Sequence, residues 1–274
     1  MLLLIALLWC IYLWDCFVRL PPGSWSLRAG ARKPVRAFPE PDLQLFGGSL
    51  GLTWTPVLPW LRAYSFHGDD LRLSVAERRL RLIEGHTRWL NIAAGVLFVW
   101  IMGVFTVLIL TARLESVMLA WAIPAAGAWI VTFTLFVRSY RRVHEAAPPV
   151  ELWLPLALSP ISLMRAPTVV RFPAARDLHP VAAAAVLCDA AEFVRIARLC
   201  YFDNVDQRSR IQQIARSRQL ADRLTAAPDE YEPGVSRFCP RCHSTYTSAA
   251  TRCSDCEDIP LKRLLPRCES NARP

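Results

Sequence analysis

Four cysteines near the C-terminal end of the chain form its most specific chemical pattern. Cys239 and Cys242 make one C-x-x-C pair, and Cys253 and Cys256 make a second pair ten residues later. Each pair offers two sulfurs on one short turn, and a tetrahedral Zn²⁺ ion needs four sulfurs at about 2.3 Å. The sequence therefore predicts a zinc site with these four cysteines as its ligands.

The segment around the cysteines resembles the small bacterial zinc-ribbon modules. The resemblance rests on the C-P-x-C first pair, on Tyr246 between the pairs, and on Asp255-Cys256 ahead of Pro260-Leu261, and it covers residues 238–261 only. It implies a compact hairpin that folds on its metal, because about 25 residues cannot build a sufficient hydrophobic core. Four cysteine ligands leave no open position for an activated water molecule, so we expect a structural Zn²⁺.

Two other chemistries also use a C-x-x-C pair. Cys239-Pro240-Arg241-Cys242-His243 matches the C-x-x-C-H sequence to which c-type haem is attached. That interpretation leaves the second cysteine pair without a role, and haem is attached outside the cytoplasm, contrary to the topology inferred below. A redox dithiol is typical of a single C-x-x-C beside a βαβ pattern. Haem and redox chemistry remain the alternatives to zinc.

A second group of candidate binding residues is a run of arginines in a predicted helix over residues 205–226. The group consists of Arg208, Arg210, Arg216, Arg218 and Arg223. A solvated helix face is the common cause of such a run, and contact with an anionic partner, nucleic acid or lipid, is the alternative. Known nucleotide-binding, metalloprotease and hydrolase motifs do not occur in the sequence, and we assign no catalytic residue.

Three apolar segments must position these groups relative to a lipid bilayer. Residues 92–112 and 116–137 contain no charged side chain, and each is long enough to cross about 30 Å of hydrocarbon. Residues 2–18 form a shorter apolar segment with one acid, Asp15, which can pair with Arg19. No basic residue precedes this segment, so it predicts an uncleaved anchor rather than a signal peptide. We expect three transmembrane helices. Small side chains in the last two allow close helix contact, namely Gly95, Gly103, Ala122, Ala125, Ala126 and Gly127. The alternative is that alanine and glycine simply occur often in membrane spans.

The arginines flanking these segments predict the orientation of the chain. Basic residues follow the first segment, precede the second and follow the third, whereas the connection at residues 113–115 carries no net charge. By the positive-inside rule, the N-terminus lies outside, and residues 20–90 and 138–274 lie in the cytoplasm. The basic residues are Arg19, Arg28, Arg32, Lys33 and Arg36, then Arg78, Arg79, Arg81 and Arg88, then Arg138, Arg141 and Arg142.

The predicted cytoplasmic segments carry several secondary-structure signals. Alternating residues on either side of His67-Gly68-Asp69-Asp70 predict a β-hairpin. Ser74-Val75-Ala76-Glu77 predicts a capping box at the start of a helix that leads into the second span. Residues 152–164 are apolar and contain two prolines, which favours a buried extended segment or an interfacial wedge. A helix over residues 180–201 should pair with the helix over residues 205–226.

These elements together predict a mainly α membrane protein. With 53% hydrophobic residues among 274, the chain is too apolar for general disorder. Its net charge of +9 comes almost entirely from arginine, a bias typical of a GC-rich bacterial genome. The expected organisation is an anchor at 1–20, a β-containing segment and helix at 21–90, a transmembrane hairpin at 91–137, a helical segment at 138–227, a linker at 228–237, the ribbon at 238–261 and a tail at 262–274.

These features point to a bacterial inner-membrane protein in contact with the lipid bilayer. Because the zinc site is expected to be structural, the leading hypothesis is an adaptor or assembly factor that presents the ribbon to a protein partner. The second hypothesis is a membrane-tethered protein that binds nucleic acid through the ribbon and the arginine-rich helix. The third is a membrane-surface enzyme of unknown reaction, which would use cytoplasmic residues that carry no recognised motif.

Overall fold

The computed structural model describes residues 2–15, 18–19, 25–29, 36–38, 43–45, 48–51, 62–110, 114–228, 231, 234–247, 249–256 and 259–264. Within these ranges, side chains are described at residues 3 and 5–12 and from residue 64 onward, except for residues 109 and 114–119. The predicted pairing of Asp15 with Arg19 therefore lies outside the described side chains. The chain is mainly helical and divides into two compact units, Met1–Leu187 and Cys188–Pro274, which we describe separately.

The first unit is built around two long helical segments. Helix α2, Leu73–Phe98, continues through a π-helical turn at Val99–Val104 into α3, Phe105–Leu110, and α4 covers Leu114–His144. Within these segments, Leu73–Leu108 and Ala120–His144 are long and apolar enough to cross a membrane. The predicted helical nature of the second and third apolar segments is confirmed.

The first apolar segment forms a shorter helix. Helix α1, Leu2–Asp15, has 14 residues, which at 1.5 Å per residue gives about 21 Å, less than the thickness of a bilayer core. Trp9 and Tyr12 of this helix pack against Phe98 of α2, with ring centroids 6.3 and 5.3 Å away. The third span therefore stays a prediction.

Two sets of hydrogen bonds join α2 to α4 in an antiparallel pair. Ser139 Oγ donates to the carbonyl of His86 at 2.8 Å. Further along both helices, Trp100 Nε1 donates to the carbonyl of Trp121 at 3.1 Å, and Trp121 Nε1 donates to the carbonyl of Trp100 at 3.3 Å. A Cβ added at Gly95 or Gly127 would meet nothing within 4 Å, so the expectation of close contact at these glycines was wrong.

Short strands follow α1 and form two three-stranded antiparallel sheets. Strand β5 pairs with β1 and β4 in one sheet, and strand β2 pairs with β3 and β6 in the other. The strands are β1 at Val18–Arg19, β2 at Trp25–Ala29, β3 at Arg36–Phe38, β4 at Leu43–Leu45, β5 at Gly48–Gly51 and β6 at Arg62–Phe66. The predicted hairpin over residues 64–75 was wrong, because β6 pairs with β2 and residue 73 begins α2.

Residues 67–70 hold the start of α2 against a later part of the chain. His67 N donates to the carbonyl of Arg176 at 2.8 Å, and His179 N donates to the carbonyl of Asp70 at 3.2 Å. A Cβ added at Gly68 would lie 1.8 Å from the carbonyl oxygen of Asp177, so the backbones approach too closely for any side chain. This segment is thus a docking contact rather than a hairpin turn.

The predicted capping box at the start of α2 was also wrong. The N-cap position is Arg72, which makes no side-chain cap hydrogen bond. Ser74 and Glu77 lie inside the helix, where Glu77 forms an ion pair with Arg81 one turn later. The helix begins earlier than the local pattern indicates, and it continues without a break into the second apolar segment.

Four shorter helices complete the first unit. They are α5 at Val150–Leu158, α6 at Pro160–Leu163, α7 at Ala166–Ala175 and α8 at Pro180–Leu187. Residues 152–164 are therefore mostly helical, which corrects the expectation of an extended segment. Leu156 and Leu163 are buried in the same core as Phe136 of α4 and Tyr12 of α1.

The second unit begins with two helices that pack on each other. Helix α9, Ala190–Asp203, starts where the Asp189 carboxylate accepts a hydrogen bond from Glu192 N at 2.8 Å. This cap explains why the predicted helix over residues 180–201 is broken into α8 and α9. Helix α10, Arg208–Ser217, and a 3₁₀ turn, Ala221–Leu224, replace the longer helix expected over residues 205–226.

A small three-stranded sheet ends the described part of the second unit. Strand β7, Arg237–Phe238, lies between β8, Thr245–Tyr246, and β9, Lys262–Arg263, and both pairings are antiparallel. The first cysteine pair lies in the connection between β7 and β8, and the second pair lies between β8 and β9. The sheet therefore brings two distant C-x-x-C turns to one place.

Candidate metal centre

The four cysteines predicted to bind a metal come together in the structure. The sulfurs of Cys239, Cys242, Cys253 and Cys256 all lie within 4.8 Å of one another. Cys242 Sγ lies 3.5 Å from Cys253 Sγ, too far for a disulfide. Four sulfurs placed at about 2.3 Å around a tetrahedral metal lie about 3.8 Å apart, so the cluster has the dimensions that zinc requires. The geometry is compatible with zinc without identifying the ion.

The first cysteine pair is held in a tight turn by backbone hydrogen bonds. Cys239 N donates to the carbonyl of Ser244, and His243 N donates to the carbonyl of Cys239, both at 2.9 Å. The amides of Arg241 and Cys242 donate to the Cys239 sulfur. His243 adopts a left-handed conformation with φ of 66°, which lets the chain reverse into β8. Burial is the larger effect and raises the pKa of the Cys239 thiol, while the two amides oppose it by stabilising the thiolate form.

The second pair is held in a similar way. Ile259 N donates to the carbonyl of Cys256 at 2.9 Å, and Cys253 N donates to the carbonyl of Ile259 at 3.3 Å. The amide of Asp255 donates to the Cys253 sulfur. Both turns therefore direct amide groups at the first sulfur of their C-x-x-C pair.

Tyr246 makes a contact with the cluster that the sequence analysis missed. Its hydroxyl lies 3.1 Å from Cys253 Sγ and accepts a hydrogen bond from Ser254 N at 3.1 Å. A phenol that donates to a ligand sulfur orients that sulfur and stabilises its charged form. The resemblance to zinc ribbons placed an aromatic residue here, but spacing alone could not reveal what its hydroxyl contacts.

The electrostatics of the cluster fit a bound cation. Burial of Cys253 opposes its ionisation, but hydrogen bonds from Tyr246, the Asp255 amide and the neighbouring thiols together outweigh this effect and lower its pKa to about 7. Burial and the neighbouring thiols raise the pKa of Cys256 to about 12. Four thiolates so close together repel one another, and a divalent cation supplies the charge that keeps all of them deprotonated.

Arg241 connects the cluster to the helices of the same unit. Its guanidinium forms an ion pair with Asp203 Oδ1, at the end of α9, at 2.7 Å, and also donates to the Cys256 sulfur. His243 Nε2 lies 3.1 Å from the carbonyl of Ala226, so its ring is also occupied by the helical segment. The third position of C-P-x-C carries no sequence constraint, so nothing in the pattern indicated a role for Arg241.

The two described cysteines outside the cluster in this unit have a different character. Burial raises the pKa of Cys188 and of Cys200 to about 12. Each behaves as a small apolar side chain in the region of α9, and neither belongs to the metal-binding group.

The structure does not place the five candidate arginines on one helix face. Arg208 donates to the carbonyl of Tyr201 at 2.9 Å and lies over the Tyr201 ring, and Arg218 lies 4.8 Å from the centre of the Phe193 ring. Arg210, Arg216 and Arg223 are exposed. Helix α10 ends at residue 217, so Arg218 and Arg223 lie beyond it.

Comparisons of the chain with protein-family models, with curated proteins and with solved structures found no match. The candidate metal centre is thus defined by its own geometry, namely four converging sulfurs, two backbone turns and a tyrosine hydroxyl.

Proposed function

We propose that the chain is a bacterial inner-membrane adaptor or assembly protein that presents a structural zinc ribbon to a protein partner. The observation that carries the proposal is the closed cluster of four cysteines. Four thiolates complete the coordination of zinc, so the ion stabilises a small folded module and has no position for a substrate. A metal used in this way fixes the shape of the module's surface. In a chain without a recognised catalytic motif, such a fixed surface favours a role in binding a partner.

The membrane part of the proposal rests on the two spanning-length helices. Their outward side chains are large and apolar over many turns, as at Trp89, Val96, Val107 and Ile130. Leaving such a surface in water is costly, at roughly 25 cal/mol per Å² of apolar area, whereas hydrocarbon accepts it. With α1 as a third span and the arginine flanks in the cytoplasm, the ribbon lies in the cytoplasm.

We infer a protein partner rather than nucleic acid. A nucleic-acid surface needs several free basic groups on one face, since affinity comes mainly from neutralised phosphates. Arg208 and Arg218 are instead engaged with aromatic rings and backbone carbonyls of their own unit. Only the three exposed members of the set are available for phosphate contact.

Crosslinked capture from solubilised membranes tests this proposal. The full-length protein should capture a partner that resists nuclease treatment and high salt. A variant with Cys242→Ser and Cys253→Ser should lose that partner while its amount in the membrane stays the same, and Cys268→Ser, outside both cysteine pairs, should behave like the wild type. Capture that disappears with nuclease and weakens steeply with salt would instead support the nucleic-acid hypothesis. Equal capture by the cysteine variant would contradict a role for the ribbon.

A further inference from the structure

A surface depression lies at the C-terminal end of α4, outside the metal centre. It has a volume of about 510 Å³, and all of its lining residues that the structure describes belong to α4. Phe133 and Val137 contribute apolar surface nearer the spanning part of the helix. The remaining lining residues are Thr134, Arg138, Arg141 and Arg142. The depression is therefore apolar on the side of the span and strongly basic beyond it.

The three arginines of this depression are exposed, and the described part of the chain gives them no counter-charge. Among the described residues, no hydrogen bond or ion pair involves the side chains of Arg138, Arg141 or Arg142. Some other arginines of the same unit form ion pairs, Arg72 with Asp70 and Arg79 with Asp177. Three unpaired guanidinium groups on adjacent turns of one helix repel one another, and an anion between them relieves this repulsion.

The height of the depression along α4 matches the boundary of a bilayer. The Ser139–His86 hydrogen bond places the end of α4 beside the part of α2 that carries Trp89, whose side chain is 65% exposed. Exposed tryptophan is typical of the headgroup region. The 1.5 Å rise of a helix puts Arg141 about 6 Å beyond Val137, so the guanidinium groups reach the headgroup level while Phe133 and Val137 stay at the level of the acyl chains.

We propose that this depression binds one anionic phospholipid. The guanidinium groups of Arg138, Arg141 and Arg142 hold the phosphate and headgroup, and an acyl chain lies on Phe133 and Val137. Arginine suits this role because its planar donors bind phosphate oxygens in pairs. A zwitterionic lipid carries the same phosphate, but its ammonium group adds a positive charge beside three others. The proposal rests on the membrane placement argued under the proposed function.

The competing explanation is that these arginines only set the orientation of the span in the membrane. The positive-inside rule requires basic charge near a span but no particular arrangement of it. The chain offers a matched control in Arg78, Arg88 and Arg176, which are also exposed, belong to the same unit and make no described ion pair. Replacing either set of three by Gln removes the same charge, but only one set lines the depression.

Native mass spectrometry of the full-length protein in detergent tests the proposal, with phosphatidylglycerol and phosphatidylcholine offered in turn. The wild type should retain one phosphatidylglycerol under conditions that remove phosphatidylcholine. Changing Arg138, Arg141 and Arg142 to Gln should weaken retention at least about tenfold, whereas the control triple should keep it within about twofold. Equal retention of both lipids, equal loss in both triple variants, or displacement of the lipid by millimolar inorganic phosphate would overturn the proposal.

A separate measurement distinguishes failure of this lipid site from failure of the membrane placement. Alkaline carbonate should leave the wild type and both triple variants in the membrane fraction. Release of the wild type by carbonate would contradict the proposed function and the lipid site together. A protein that stays in the membrane but shows no preference for phosphatidylglycerol contradicts the lipid site alone.

Discussion

Gly68 shows how one residue can determine the way a segment docks. The segment around it makes two backbone hydrogen bonds with residues 176 and 179, and a Cβ at this position would lie 1.8 Å from a backbone oxygen. Backbone atoms cannot move aside as the end of a flexible side chain can. Even a methyl group therefore requires the two segments to separate.

We predict that Gly68→Ala lowers the free energy of unfolding by about 2–3 kcal/mol. The matched control is Gly85→Ala in α2, where an added Cβ meets nothing within 4 Å. That change should stabilise the protein by up to about 1 kcal/mol, since alanine favours a helix more than glycine does. Thermal denaturation of the purified full-length protein measures both effects. Equal melting temperatures for the two variants would show that the Gly68 contact does not limit stability.

The sequence predicted which four cysteines come together, but not the groups that surround their sulfurs. The identity and spacing of the four cysteines are sufficient, because each ligand requires a thiolate and each turn requires two intervening residues. The Arg241–Asp203 ion pair joins positions 38 residues apart, and the Tyr246–Cys253 contact depends on how β8 faces the second turn. Such contacts depend on the three-dimensional arrangement, and no local pattern indicates them.

Two tryptophan hydrogen bonds join the helical segment that begins with α2 to α4. The indole of Trp100 donates to the backbone of α4, and the indole of Trp121 donates to the backbone of the π-helical turn that follows α2. In hydrocarbon, an indole N–H without an acceptor is costly, so the two bonds favour the paired helices.

Changing both Trp100 and Trp121 to Phe should destabilise the full-length protein by about 1–2 kcal/mol. The change removes two hydrogen-bond donors and keeps an aromatic ring at each position, and one such bond contributes about 0.6 kcal/mol or somewhat more. Trp89→Phe is the control, because Trp89 is exposed on the outer face of α2. Unfolding in increasing concentrations of a denaturing detergent measures the difference in stability between the variants. A loss for Trp89→Phe as large as for the double change would contradict this role of the indoles.

The sequence predicted best the elements whose apolar pattern runs without interruption. Long uncharged segments permit little besides a helix of spanning length, and the structure has two of them. The predicted β-hairpin was wrong because strand β6 pairs with β2, which lies about 35 residues earlier in the chain. The segment over residues 152–164 forms helices although Pro155 interrupts the pattern, because its apolar side chains pack into the core beside Phe136.

At the scale of the whole molecule, the proposed topology places every basic flank in one compartment. Reporters fused after residue 45 and at the C-terminus should therefore be active only in the cytoplasm, and a reporter inserted at residues 113–115 should be active only outside. Alkaline phosphatase and a fluorescent protein are active on opposite sides of the membrane, so fusions to each of them measure where a given position lies. A C-terminal reporter active in the periplasm would contradict the topology and would remove one argument against haem attachment.

We propose that the four cysteines hold one structural zinc ion, and elemental analysis of the purified full-length protein measures that zinc. The wild type and Cys268→Ser should each contain about one zinc per chain. Cys242→Ser combined with His243→Ala should contain little, because three thiolates leave the tetrahedron incomplete and the nearest alternative ligand is gone. A wild-type protein without zinc, or one that carries covalently attached haem, would show that the cysteine cluster is not a zinc site.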